Sequence, residues 1–173
     1  MKNTLLLSVI MVLSFFGLQA QNEETANYYN EVQQYSLIYP SFWEVEEDEE
    51  NETTTLYVPL KKDENIYKQL QISVARWEDG DLYEFLEQTF SESEMTNLYP
   101  DITILDLGED ETKENQNHCF EMSYMMGEEK VTVLYYLEKK EDLIYLILAS
   151  SPQSEYAAYK KQYLRIIDSL RIR

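Results

Sequence analysis

The run from Phe120 to Leu148 constrains the fold more than any other, because it reads as three strands joined by short turns. Phe120, Met122 and Tyr124 alternate with Glu121 and Ser123. Met126-Gly127-Glu128-Glu129 follows, a hairpin signal in which Gly127 is free to take positive φ. Val131, Val133, Tyr135 and Leu137 then form one face of a returning strand. Glu138 to Asp142 is a charged turn. Leu143 to Leu148 is apolar on both faces, which predicts a strand in the middle of a sheet, covered on both sides.

The flanking segments supply further strands and two helices. Tyr35 to Tyr39 is short, aromatic and β-prone, and Pro40 stops it. Pro40-Ser41 reads as a turn that returns Phe42 and Trp43 to the core. Glu44 to Glu52 holds seven acids in nine positions, a repulsion that favours an exposed hairpin or loop. A strand is predicted over Thr53 to Leu60, a polar connection over 61–68, and a half-buried strand through Leu70, Ile72 and Val74. Gly80-Asp81 opens a helix: Asp81 can cap it, Glu84 completes a capping-box spacing, and Leu82, Phe85, Leu86 and Phe90 recur at helical intervals. Ile102 and Ile104 mark another short strand. Ser151-Pro152 starts the last helix, with serine as cap and proline in the first turn. Its apolar stripe is Tyr156, Tyr159, Tyr163, Ile166, Ile167 and Leu170. Hairpin-joined strands with separate helices predict an α+β domain with a mainly antiparallel sheet.

The N-terminus reads as an address. Lys2 is the only charge in the first twenty residues, Leu5 to Leu18 is uncharged, and Ala20 precedes a polar stretch. This is the pattern of a secretory signal peptide over 1–20, cleaved after Ala20. The apolar run is 14 residues, against the roughly 20 that a membrane span requires. Residues 21–34 are expected to be a short, loosely held polar leader and 35–173 a single domain. The expected destination is the periplasm or the exterior, with no membrane span after signal cleavage.

Charge and composition exclude several classes. The chain has 14 basic and 33 acidic residues, a formal net charge of −19. Such a surface repels phosphate, which argues against nucleic acid and anionic membranes as partners. A single cysteine excludes a disulfide framework and multi-cysteine metal sites. No two of the four glycines have a phosphate-loop spacing. His118 and Cys119 are adjacent on a predicted strand, so they face opposite ways and cannot form a nucleophile–base pair.

Three places carry a family resemblance. The opening Tyr35-Ser36-Leu37-Ile38-Tyr39-Pro40-Ser41-Phe42-Trp43, a strand running into Tyr-Pro and then an aromatic-Trp turn, resembles the start of a PsbP-family domain. The long central meander is similar to that family's chain order. The close, Tyr159 through Ile166-Ile167-Asp168-Ser169-Leu170-Arg171-Ile172, resembles its terminal helix and Ser-hydrophobic-basic ending. The resemblance implies an α/β/α sandwich with a central antiparallel sheet of about six strands flanked by helices, the last helix packed on the sheet. Plant members are photosystem II subunits that dock through basic residues. With a surface dominated by carboxylates, this chain resembles instead the exported members of non-photosynthetic bacteria, and it lacks the lipidation cysteine of their lipoprotein relatives. A fold by itself licenses no activity.

The expectation is therefore a non-enzymatic exported binding or accessory domain, a monomer with no cofactor, whose partner is an envelope or secreted protein, a basic one being best matched. The alternative is a small-ligand or divalent-cation module. Its metal candidates are Glu47, Asp48 and Glu50 in the acidic run Glu44–Glu52, with Glu109, Asp110, Glu111 and Glu114 as a second group, because hard cations such as calcium take carboxylate oxygens. Against it, no EF-hand spacing is present and no glycine breaks the 44–52 run to wrap a loop.

Overall fold

A computed structural model of the chain describes residues 24–62, 64–78, 80–91, 95, 99, 101–106 and 117–173. The expected signal peptide 1–20 and the acidic group Glu109, Asp110, Glu111 and Glu114 lie outside the described residues. The elements are β1 (Thr25–Asn30), β2 (Tyr35–Pro40), β3 (Glu44–Asp48), β4 (Thr53–Val58), β5 (Lys68–Arg76), α1 (Leu82–Thr89), β6 (Thr103–Asp106), β7 (Asn117–Met126), β8 (Glu129–Lys140), β9 (Leu143–Pro152), α2 (Gln153–Asp168) and β10 (Arg171–Ile172). Seven strands form an antiparallel sheet in the order β3-β4-β5-β9-β8-β7-β6, and β1-β2-β10 form a second, smaller sheet. The fold is thus α+β, with one strand more in the main sheet than expected. The doubly apolar β9 lies at its centre.

Because directly opposed residues share a face, the register divides the main sheet cleanly. Leu56, Leu70, Ala149 and Leu134 are in line across β4, β5, β9 and β8. All are buried in a cluster with Tyr156, Tyr163, Ile166, Ile167 and Leu170 from α2 and its end. The other face carries Val133, Tyr135, Leu137 and Ile144, packed with Phe120, Met122 and with Leu82 and Phe85 of α1.

The two helices are held in different ways. Asp81 accepts from the Glu84 amide at 2.9 Å, and Glu84 accepts from the Asp81 amide at 3.2 Å, the expected capping box. Gly80 precedes it at φ +128, where a Cβ would meet the Trp77 indole nitrogen at 2.9 Å. With only Leu82 and Phe85 buried, α1 depends on its cap. Asp81→Ala is expected to cost about 1 kcal/mol, read as a lower urea midpoint at unchanged slope. Helix α2 lacks a side-chain cap altogether: its N-cap is Pro152, and Ser151 lies inside β9. The expectation of a serine cap fails because the strand runs on to Pro152, turning Ser151 under the helix. Four buried side chains, at about 1.5–3 kcal/mol each, more than offset the roughly 1 kcal/mol a cap supplies.

Three further expectations are corrected. The leader is not loose: residues 25–30 form β1, paired with β2 in register Tyr28↔Leu37. Only one aromatic of the Phe42-Trp43 pair returns to the core. The Trp43 amide closes the turn on the Pro40 carbonyl at 3.0 Å; Trp43 is buried edge-on against Tyr163, while Phe42 stays exposed. Lys68 is not part of a polar connection but opens β5 on the α2 face, 1% exposed. Its Nζ is 2.8 Å from Glu64 Oε1 and 3.4 Å from Glu155 Oε1. Burial disfavours its charge, but the Glu64 hydrogen bond and the two carboxylate charges prevail and raise its pKa.

Candidate functional site

Strand β3 is one edge of the main sheet and carries the front half of the acidic run. Pairing with β4 puts Glu44, Glu46 and Asp48 on the α1 side and Val45 and Glu47 on the α2 side. All four acids are exposed. Each is engaged separately. The Tyr57 hydroxyl donates to Glu44 at 3.0 Å, and that bond raises the Tyr57 pKa. Asp48 holds the hairpin turn, accepting from the Asn51 side chain at 2.7 Å and from the amides of Glu50 and Asn51 at 3.0 and 3.1 Å. The Asn51 side chain first, and then its amide, lower the Asp48 pKa. Glu50 is exposed in the turn.

Glu47 belongs to a different network. It accepts from the Tyr28 hydroxyl at 2.8 Å, and Tyr28 lies 3.2 Å from Thr54 Oγ1, which the buried Tyr35 hydroxyl reaches at 2.7 Å. Gln33 Nε2 donates to the Glu52 carbonyl at 2.7 Å. These bonds fasten the acidic hairpin to the small sheet. The candidates Glu47, Asp48 and Glu50 therefore diverge to three surroundings. Among the described residues no three His, Cys, Asp or Glu side chains are placed to hold one metal ion.

Next to this edge the α1 side of the sheet is polar. Glu46, Thr55, Gln71, Leu148, Tyr135 and Phe120 are in line across six strands. The line turns from acid to amide to apolar as it passes towards α1. Thr53, Gln69 and Ser73 repeat the polar character in neighbouring rows, all half-buried. Tyr57 stands edge-on to the exposed Tyr67, ring centres 5.2 Å apart. The result is a hydrogen-bonding floor with an aromatic pair at one corner and a carboxylate border.

His118 and Cys119 lie on opposite faces of β7, as their adjacency requires. His118 is 5.7 Å from the Phe120 ring on the α1 side. Cys119 is opposite Tyr136 and packs into the α2-side cluster. The sequence reading missed Lys68 and the hydroxyls of Ser123, Thr132 and Ser151. The available signal was position for Lys68 and Ser151, which continue the inward rows of Leu70 and Ile72 and of Ile147 and Ala149; Ser123 stands in the polar phase beside Glu121 and carried none.

An antiparallel sheet with an acidic edge strand, one helix on each face and a small sheet that joins β1 and β2 to β10 defines the molecule as an α+β domain of the PsbP fold. Solved structures with this fold bear that out. Cyanobacterial PsbP from Synechocystis superposes with a TM-score of 0.58 at 11% identity, covering 90% of this chain and 96% of that one. LpqN, involved in cell envelope biogenesis of Mycobacterium tuberculosis, gives 0.57 at 14% identity, covering 86% and 90%. A protein of Bacteroides thetaiotaomicron gives 0.53 at 15% identity over 85% of this chain; the chain spans about half of that protein, 48% of its length. No family model and no curated relative matches. At these identities the likeness is one of fold.

Proposed function

We infer that the chain is an exported, non-enzymatic member of the PsbP-like family, an α/β/α sandwich that binds a basic envelope or secreted protein. The observation that carries this reading is the β3 edge, where the exposed carboxylates Glu44, Glu46 and Asp48 border a polar sheet face. Like charges facing one another across an edge oppose pairing with a second copy. A cationic polypeptide meets no such penalty and gains in encounter rate from the field. The mature domain is read as a monomer outside the membrane; among the described residues no helix is long and apolar enough to cross one. The envelope role of LpqN supports the compartment by analogy of fold alone.

The test is site-specific crosslinking in the native envelope. A photoreactive side chain at Glu46 is expected to yield one discrete adduct with a basic protein. One at exposed Tyr83, on α1, is expected not to. Reversing Glu44, Glu46 and Glu50 to lysine, with the probe moved to Tyr67, should reduce the adduct at least tenfold without changing the melting temperature. Equal yields from Glu46 and Tyr83, or no effect of the reversal, would remove the β3 edge as the docking surface.

A further inference from the structure

The outer face of the small sheet departs from the rest of the surface. The inward side chains of β1 and β2, Tyr28, Tyr35 and Leu37, belong to the α2-side cluster or pack against it. The alternate positions point the other way. Tyr29, Ser36 and Arg171 are directly opposed in one row across β1, β2 and β10, and Asn27 with Ile38 forms the next. No acid stands in these rows, in a chain of net charge −19. Tyr29 and Ile38 are exposed, as is Phe42 in the turn after β2. With Val32 in the β1–β2 turn they make up half of the exposed large hydrophobic residues among the described residues. Exposed apolar surface is thus gathered here rather than scattered, which marks an interaction surface.

The backbone beneath these side chains is fastened. The Ile38 amide donates to Ser169 Oγ at 2.8 Å. The Ser41 amide donates to the Glu24 carbonyl at 2.8 Å and fixes the turn that carries Phe42. The Arg173 guanidinium lies over the Tyr29 ring, 4.7 Å from its centre, and Arg171 Nη1 donates to the Asp168 carbonyl at 3.1 Å. Both arginines are exposed, and among the described residues neither lies within ion-pairing distance of a carboxylate. The short Ser36 stands between Tyr29 and Arg171, with Ile38 diagonal to both at about 7–8 Å. Tyrosine and arginine on a fixed frame, beside apolar side chains, are the composition of an interface centre.

We propose that this face docks an acidic segment of another polypeptide, in which carboxylates alternate with apolar side chains. The carboxylates pair with Arg171 and Arg173, and the apolar side chains cover Tyr29, Ile38 and Phe42. Charge selects the occupant. A basic segment is repelled by the two arginines, and a wholly apolar one would bury them unpaired. A second copy or an anionic bilayer would bring a broad negative surface within the screening length, about 8 Å, of an acidic molecule. A short segment meets only the basic end of the chain, where residues 160–173 hold five basic residues and one acid. Glu24 and Glu31 stand at the two ends of β1, so the carboxylates of the segment are drawn to the β10 side. This surface is separate from the β3 edge, selects the opposite charge and does not depend on that reading.

The probe is an acetylated dodecapeptide alternating glutamate with leucine, titrated into the full mature chain at physiological ionic strength and followed by NMR. Saturable shifts are expected at Tyr29, Ile38 and Arg171, and none at Tyr83 on α1. Reversing Arg171 and Arg173 together to glutamate should weaken binding about tenfold. Ile38→Ser leaves β10 untouched and should also weaken it, so the test stands even if the reversal loosens that strand. Absence of saturable binding overturns the proposal, as does equal binding of the lysine–leucine counterpart or binding unaffected by both variants. So does tighter binding to vesicles of phosphatidylcholine and phosphatidylglycerol, which would assign the face to a membrane. A dimer in sedimentation velocity that Ile38→Ser abolishes would assign it to a second copy and overturn the proposal too.

Discussion

Tyr163→Ala is expected to destabilise the fold by about 3–5 kcal/mol, which at this chain length lowers the melting midpoint by about 10 °C. Tyr163 is fully buried in α2. It is edge-on to Trp43 at 6.0 Å and lies beside Tyr156 and Tyr159. Its hydroxyl donates to the Ser150 carbonyl at 2.6 Å, and burial pushes its pKa up. One side chain therefore joins the helix, the centre of the sheet and the turn after β2. Tyr163→Phe separates the two contributions. It keeps the ring contacts and strands one carbonyl, for a loss of about 1–2 kcal/mol. Urea denaturation of both variants at neutral pH measures the pair. A loss below about 1 kcal/mol for Tyr163→Ala would be incompatible with a cavity at this site.

Lys68→Ala is the second large effect, about 3 kcal/mol at neutral pH from lost methylene burial and a broken buried pair. The figure is at the low end for such a pair because Glu64 and Glu155 keep access to water, with side chains 21% and 42% exposed. Lys68→Met restores most of the stem packing and isolates the charge. The pH dependence has a fixed sign. The pKa of Glu64 is lowered, chiefly by its bond to Lys68, so its contribution is present above the ordinary carboxylate value of about 4.3 and is lost as pH falls through the folded value. The pKa of Lys68 is raised, so its contribution is intact below about 10.4 and is lost as pH rises through the folded value. The difference between wild type and Lys68→Met should accordingly be flat from about pH 5 to 10 and shrink on either side. A difference independent of pH down to 3 would show that the pair contributes nothing.

Strict alternation made most of the main sheet legible in the sequence. Leu143–Leu148 could only be central, and Gly127 at φ 67 turns the β7–β8 hairpin where its sequence says. The Asp81–Glu84 box was legible because a cap is a local bond. What could not be read depended on distant partners. Nothing within Thr25–Asn30 says that β2 will pair with it. The burial of Lys68 requires Glu155, far along the chain. The split of Phe42 from Trp43 follows from where Tyr163 lies. The candidate site was half visible. The acidic run was plain, but its separation into a turn-holding Asp48, a Tyr28-bound Glu47 and an exposed Glu50 arises from the pairing of β3 with β4 and of β1 with β2.

The small sheet has a consequence for the timing of assembly. Strand β10 pairs with β2, placing Ile172 opposite Tyr35, and the Arg173 amide donates to the Gln34 carbonyl at 2.9 Å. Residues separated by most of the chain thus become spatial neighbours, a contact of the slowest kind to form. A polypeptide threaded N-terminus first through a narrow pore cannot close this sheet until its last strand has emerged. The topology thus postpones completion of the small sheet to the far side.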